Sequence, residues 1–221
     1  MSKKGNLTVA VQAGGDALVN AEFMEERLIH RALHRMSGIA DEMIVTTNKA
    51  GKLEAELTDV KIVVDDVEKK AEGRYKGNSL EGIRTALKAA SNEYVAIVAG
   101  DMPFPSANIV GYELALIKKT GADLAIPHTR HGLEPFMAVY RRDVCLQAVE
   151  EALAKGARCC TAIVKMVKTI EFNEEQALTA DPRGGSFIAL STPGSVKRME
   201  QRIKKGLMRT KGEFPKDKEA A

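Results

Sequence analysis

Hydrophobic and polar positions alternate along this chain in two rhythms. Short continuous apolar runs read as buried strands, and longer stretches with apolar residues every three or four positions read as amphipathic helices. "LTVAVQA" (Leu7 to Ala13) predicts the first strand, and "AEFMEERLIHRALHRM" (Ala21 to Met36) predicts a helix. Phe23, Met24, Leu28, Ala32, Leu33 and Met36 would form its apolar face, with Arg27, Arg31 and Arg35 on another. "EMIVTTN", "VKIVVDD" and "EYVAIVAG" predict further strands, and "LEAEL", "LEGIRTALKAA" and "NIVGYELALIKKTG" predict helices between and after them. After "ADLAIPHT" the rhythm loosens: "EPFMAVYRR" reads as a strand, "DVCLQAVEEALAKG" as a helix and "SFIALSTP" as a late strand.

Near-continuous Val/Ile/Ala strands, each followed by a helix, predict a largely parallel sheet covered on both faces. The expected fold class is α/β, a three-layer α/β/α sandwich of Rossmann-like type. No internal repeat or low-complexity linker interrupts residues 1–200, which read as a single domain, with a basic tail over 201–221. The 221 residues suffice for one such domain, with 44% hydrophobic residues to fill a core. Three cysteines without framework spacing, and no apolar stretch of membrane-spanning length, predict a cytoplasmic protein with no membrane partner. The net charge of +3 is concentrated after Val196, and the absence of Trp leaves few platforms for stacking bases. Nucleic acid is therefore a poor candidate partner, and small anionic substrates a better one.

In open parallel sheets ligands collect at the carboxyl ends of the strands. Gly14-Gly15, Asp65-Asp66 and Asp101 all follow strands of this kind. The glycines of "QAGGDA" would let backbone amides approach a phosphate, or would simply form a strand-to-helix turn. Asp101 ends the apolar run Tyr94 to Ala99, and Pro103 and Pro105 stop strand pairing just beyond it. A carboxylate there could hold Mg²⁺ against phosphates, or could cap its own turn. His30 and His34 lie four apart on a helix but among arginines, which disfavours a metal. Cys145, Cys159 and Cys160 read as buried small residues, and His128 and His131 flank Arg130 in a loop open to an anionic substrate.

Taken together and in order, these segments resemble the molybdenum cofactor guanylyltransferases and their wider nucleotidyltransferase family, from about Thr8 to Met199. The family's "LAGG" is echoed by Ala13, Gly14 and Gly15, its acid after the third strand by Asp65, and its "GPLAG" by Gly77, Leu80 and Gly82. Its acid followed by Met or Thr and Pro is matched by Asp101, Met102 and Pro103. "PLxALYxR" is matched at Pro135, Ala138, Tyr140 and Arg142, and "FxNxNTP" at Phe187, Thr192 and Pro193.

The resemblance implies a nucleotide-diphospho-sugar-transferase-like fold and Mg²⁺-dependent transfer of GMP from GTP to molybdopterin or another phosphorylated acceptor. It implies a nucleotide site at Ala13, Gly14, Gly15, Thr46, Asp65 and Asp101, with Asp101 as catalytic metal ligand. It implies acceptor contacts at Pro135, Tyr140, Ser191 and Thr192. The chain also departs from the family. The arginine and lysine that follow "LAGG" in relatives are missing from "DALVNAEFMEER", where Asp16 stands instead, and Ala189 and Ser191 replace two asparagines. Arg27, Arg31, Lys49, Arg74 and Lys76 are candidate replacement cations. The alternative is a nucleotide-binding or regulatory homologue with impaired catalysis, or a transferase for another nucleotide or acceptor.

Overall fold

The computed structural model describes residues 6–14, 18, 20–48, 57, 60–64 and 79–206. Strand β1 (Leu7–Gln12) is followed by a small hairpin, β2 (Glu22–Phe23) and β3 (Glu26–Arg27), and by helix α1 (Leu28–Met36). Next come β4 (Glu42–Thr47), β5 (Lys61–Val64), α2 (Ser79–Ala89), β6 (Tyr94–Ala99) and α3 (Ala107–Thr120). Then follow β7 (Leu124–Thr129), β8 (Gly132–Leu133), β9 (Met137–Arg141) and α4 (Arg142–Ala154). A 3-10 turn (Cys160–Ile163), β10 (Thr169–Asn173), α5 (Glu174–Ala180) and α6 (Pro193–Lys204) complete the described chain.

The main sheet runs β10-β7-β9-β6-β1-β4-β5, with β8 paired to β7. β1, β4, β5 and β6 pair in parallel, as do β7 and β10. β9 is antiparallel to both β6 and β7, so β7 and β10 point the same way as β1. This is the mostly parallel sheet expected from its Val/Ile runs. Alternate strand residues feed two cores. Leu7, Val9, Val11, Val45, Ala96 and Val98 pack with α1, α3 and α5 on one face. Ala10, Ile44, Val95, Ile97, Ala138 and Tyr140 pack with α2 and α4 on the other. Three layers result.

Several local expectations are corrected. Residues 21–27 do not extend the first helix; they form the β2–β3 hairpin, and Met24 and Glu25 turn it with positive φ of 51° and 65°. Phe23 fits a helical period, but it leaves that face to join Leu28, Phe104, Leu190, Val196 and Met199 in a third cluster. "SFIALSTP" is not a strand. Its segment runs irregularly to Thr192, which caps α6 through a reciprocal bond with Ser195, and Pro193 starts the helix. The strand at that side of the sheet is β10, "TIEFN". The "LEAEL" helix lies mostly outside the described residues.

α3 carries the most unusual buried group. Ser106 caps its start and Gly121, at φ 65°, ends it in the left-handed region where glycine is favoured. Its buried face reads Ile109, Val110, Glu113, Leu114 and Ile117. Among the described residues neither carboxylate oxygen of Glu113 has a partner, and burial holds its pKa well above the ordinary value of 4.5. The folded state keeps this proton while the unfolded chain releases it. Stability is therefore fully present below the unfolded pKa of about 4.3 and falls as pH rises toward the folded pKa, by up to roughly 1.4 kcal/mol per pH unit. Glu113→Gln should flatten that decline and raise stability at pH 8, as urea unfolding across pH 4–9 would measure; parallel wild-type and mutant profiles would contradict the assignment.

Candidate functional site at the carboxyl edge of the sheet

The parallel register sets the site. Gln12 is level with Thr46 on one side and Ala99 on the other, and Thr47 is level with Val64. The chain therefore leaves β1, β4 and β6 at one edge. Ala13 N–H donates to Thr46 O at 2.7 Å, and Gly100 N–H donates to Gln12 O at 2.8 Å, which extends the ladder to the residue before Asp101. The antiparallel β9 brings its amino end to the same place, with Ala99 N–H bonded to Phe136 O at 2.9 Å. Leu190 N–H donates to Asp101 O at 3.0 Å and adds the segment that carries Ser191 and Thr192. Ala13, Gly14, Asp101, Pro135, Ser191 and Thr192 thus gather along one edge. Gly15 and Asp65 lie outside the described residues, as do Asp16, Lys49, Arg74, Lys76 and Gly77.

Two expected contacts take other roles. Tyr140 is only 1% exposed, and its hydroxyl donates to Pro135 O at 2.7 Å. It fixes Pro135 from within the core instead of facing an acceptor. The side chain of Thr46 is likewise enclosed, and its carbonyl holds Ala13. Thr47 assists by donating its hydroxyl to Ala13 O at 3.2 Å. Gly82 of α2 fits its resemblance for a steric reason: a Cβ there would sit 3.0 Å from the Gln12 amide at the end of β1.

Asp101 is the chemically pointed group at this edge. Burial raises its pKa, opposed only by its own backbone N–H. Its carboxylate has no cationic partner among the described residues, so a charge is held in a poorly solvated place without compensation. The loop beyond it is anchored heavily. Met102 and Phe104 are buried, and Phe104 meets Phe23 edge-on at 5.7 Å. Arg31 Nε donates to Pro103 O at 2.8 Å and Arg35 Nε to Pro105 O at 2.9 Å. The Arg31 guanidinium also lies 5.4 Å from the Phe23 ring and 5.6 Å from that of Phe104, and 3.2 Å from Glu26. Arg31 is therefore committed to holding this loop. Ser106 donates a short bond to the buried carboxylate of Asp181, which Arg183 grips at 2.7 and 2.8 Å. Phe23, Ser106, Asp181 and Arg183 were not legible as site-building residues, because their roles come from contacts distant in sequence.

The remaining candidates settle elsewhere. His34 approaches Glu26 at 4.0 Å, and among the described residues no cluster of three His, Cys, Asp or Glu could hold a metal unaided. His128, at the carboxyl end of β7 and two strands from β6, pairs with Glu171 of β10 at 2.9 Å. Cys145 is buried, its thiol pushed up to about 12, whereas Cys159 is exposed, contrary to expectation. A single carboxylate suits Mg²⁺ when substrate phosphates and water complete its six oxygens. The desolvated, uncompensated Asp101 meets that requirement.

Comparison with known proteins identifies the family and the fold. Residues 17–169 match the model of the MobA-like NTP transferase domain. A probable molybdenum cofactor guanylyltransferase of Natranaerobius thermophilus is 28% identical over 180 residues, covering 81% of this chain and 85% of its own. A molybdenum cofactor guanylyltransferase of Syntrophotalea carbinolica is 30% identical over 158 residues, covering 72% and 70%. In fold, the chain resembles molybdopterin-guanine dinucleotide biosynthesis protein A from Archaeoglobus fulgidus, with a TM-score of 0.73, 22% identity and coverage of 90% and 99%. It also resembles the 4-diphosphocytidyl-2C-methyl-D-erythritol synthase of Anaerococcus prevotii, with a TM-score of 0.65, 15% identity and coverage of 90% and 98%. The chain belongs to the MobA-like NTP transferase domain family.

Proposed function

We propose that this protein is a cytoplasmic guanylyltransferase that moves GMP from GTP to the terminal phosphate of molybdopterin, with Mg²⁺ held at Asp101. The observation that carries the proposal is the half-buried, uncompensated Asp101 carboxylate at the edge where Ala13, Gly14, Pro135 and the 190–192 segment meet. Ala13 and Gly14 offer backbone to the nucleotide, with Ala13 fixed by Thr46 and Thr47. Pro135, brought to this edge by the bond from Ala99 N–H to Phe136 O, and Ser191 and Thr192, which follow the Leu190 bond to Asp101 O, are assigned to the acceptor. When bound, Mg²⁺ would neutralise charge on the phosphates.

In the transfer, an acceptor phosphate oxygen bonds to the α-phosphorus of GTP. The bond from that phosphorus to the bridging oxygen breaks, and pyrophosphate leaves with the electron pair. The chain's own contribution is to position the two substrates and to keep the Asp101 carboxylate in place. The anchored 102–106 loop suits that task because it fixes the backbone after the acid, as the Gly100 to Gln12 bond fixes it before.

Removal of Asp101 tests the metal site. Asp101→Asn should weaken Mg²⁺-dependent GTP binding at least about tenfold, equivalent to 1.4 kcal/mol. The same change should raise the melting temperature of the free protein, because it deletes a poorly solvated charge. Calorimetry that found unchanged affinity would reduce Asp101 to a turn residue. Since Asp101 must be ionised to hold the cation, Mg²⁺ affinity should also weaken on acidification at a higher pH than for an ordinary aspartate.

The engagement of Arg31 favours a slow enzyme, because that candidate replacement cation is already occupied. Charge-assisted bonds to a triphosphate are worth roughly 1.5–3 kcal/mol each. Loss of two at the transition state predicts transfer about two to four orders of magnitude slower than in relatives with the basic loop. Pyrophosphate release with GTP, Mg²⁺ and molybdopterin measures this directly. Turnover equal to those relatives would show that another cation has taken over, and no release at all would favour a purely binding homologue.

A further inference from the structure

A charged cavity lies apart from the nucleotide edge. It is a groove of about 490 Å³ between α1 and the start of α3, lined by Arg31, Arg35, Arg183, His34, Asn108 and Glu26 among others. None of Ala13, Gly14, Asp101, Ser191 or Thr192 lines it. Its volume falls in the range of small-molecule sites. Three guanidiniums from two separate chain segments converge there, and the first turn of α3, which carries no acid, adds the positive end of a 14-residue helix.

The negative charges nearby are already engaged. Glu26 pairs with Arg31 at 3.2 Å and reaches His34 at 4.0 Å. Asp181 is 2% exposed and is taken up by Arg183 and Ser106. Arg35 differs from the other two arginines. Its Nε binds Pro105 O, while its two terminal nitrogens have no partner among the described residues. Burial, then the Arg183 and Arg31 guanidiniums, push its pKa below the ordinary arginine value. Such crowding of like charge is unfavourable in the free protein and is relieved by a bound anion.

We propose that this groove is an anion site for the phosphate or diphosphate of a small molecule, centred on Arg35 and independent of the metal-binding edge. Arg35 supplies an unused guanidinium fork, Arg31 and Arg183 the surrounding potential, and Ala107 and Asn108 of α3 the helix end. An anion there would link α1 to the loop that starts at Asp181 and ends at Thr192.

The test uses the full chain and sodium pyrophosphate without Mg²⁺, followed by isothermal titration calorimetry, with inorganic phosphate as a second probe. One saturable site is expected, weakened at least about tenfold by Arg35→Gln. Asn108→Asp is a second variant, since Asn108 is exposed and an acid in a first helical turn favours the helix; it should weaken binding similarly without unfolding the protein. Asn108→Asp should leave Mg²⁺-dependent GTP binding unchanged, which separates failure here from failure of the guanylyltransferase proposal on which the metal edge rests. Absence of saturable binding to the wild type, or unchanged affinity in a folded Asn108→Asp variant, would overturn the site.

Discussion

A carboxylate just past the end of a strand buried on both faces is the constraint around which this molecule is built. Strand β6 is enclosed on both faces, so the chain emerges from it in a place with little water. Asp101 stands two residues beyond the end of β6, and its ionised form is penalised there. Such an acid persists only if neighbouring structure prevents the loop from swinging it into solvent. Pro103 and Pro105 cannot donate ladder hydrogen bonds, and their carbonyls are taken by Arg31 and Arg35 from α1. Phe104 is buried against Phe23, and Ser106 ties the next helix to Asp181. The anchors come from α1, the β2–β3 hairpin and the segment after α5.

The arginines of α1 show how one residue type serves both packing and charge. Arg31 lies against two aromatic faces and donates to a carbonyl, a combination that a lysine's compact ammonium would satisfy poorly. Arg35 makes one such bond and leaves its fork toward a groove. The antiparallel β9 contributes in another way. By reversing direction it delivers its amino end, with Phe136 and Pro135, to the edge where the parallel strands deliver their carboxyl ends. Tyr140 reaches along β9 to secure Pro135, which explains a buried tyrosine hydroxyl without any role at the surface.

The sheet was legible because its strands are unbroken apolar runs, and Asp101 was legible because an acid followed by proline interrupts the clearest of them. The β2–β3 hairpin was not, since Phe23 and Met24 obey a helical period and only Phe104, 81 positions further on, draws Phe23 away. The irregular path of "SFIALSTP" depends on a backbone bond from Leu190 to Asp101, and its helix start lacks the usual Glu or Gln three residues after the cap. β10 is short and carries Glu171 in its middle, which weakens its pattern. Thr46 and Tyr140 matched motif positions, but sequence similarity does not distinguish a residue that touches a ligand from one that holds its neighbour.

The proposed role of Asp101 as a metal ligand at a nucleotide site is tested most directly by a crystal grown with GTP and Mn²⁺ in place of Mg²⁺, with the metal located by its anomalous signal. The account predicts one Mn²⁺ within direct coordination distance of an Asp101 carboxylate oxygen, at about 2.0–2.3 Å, bridging to the phosphates of a nucleotide that lies against Ala13 and Gly14. A nucleotide bound with its metal elsewhere, and Asp101 turned into its own loop, would contradict it.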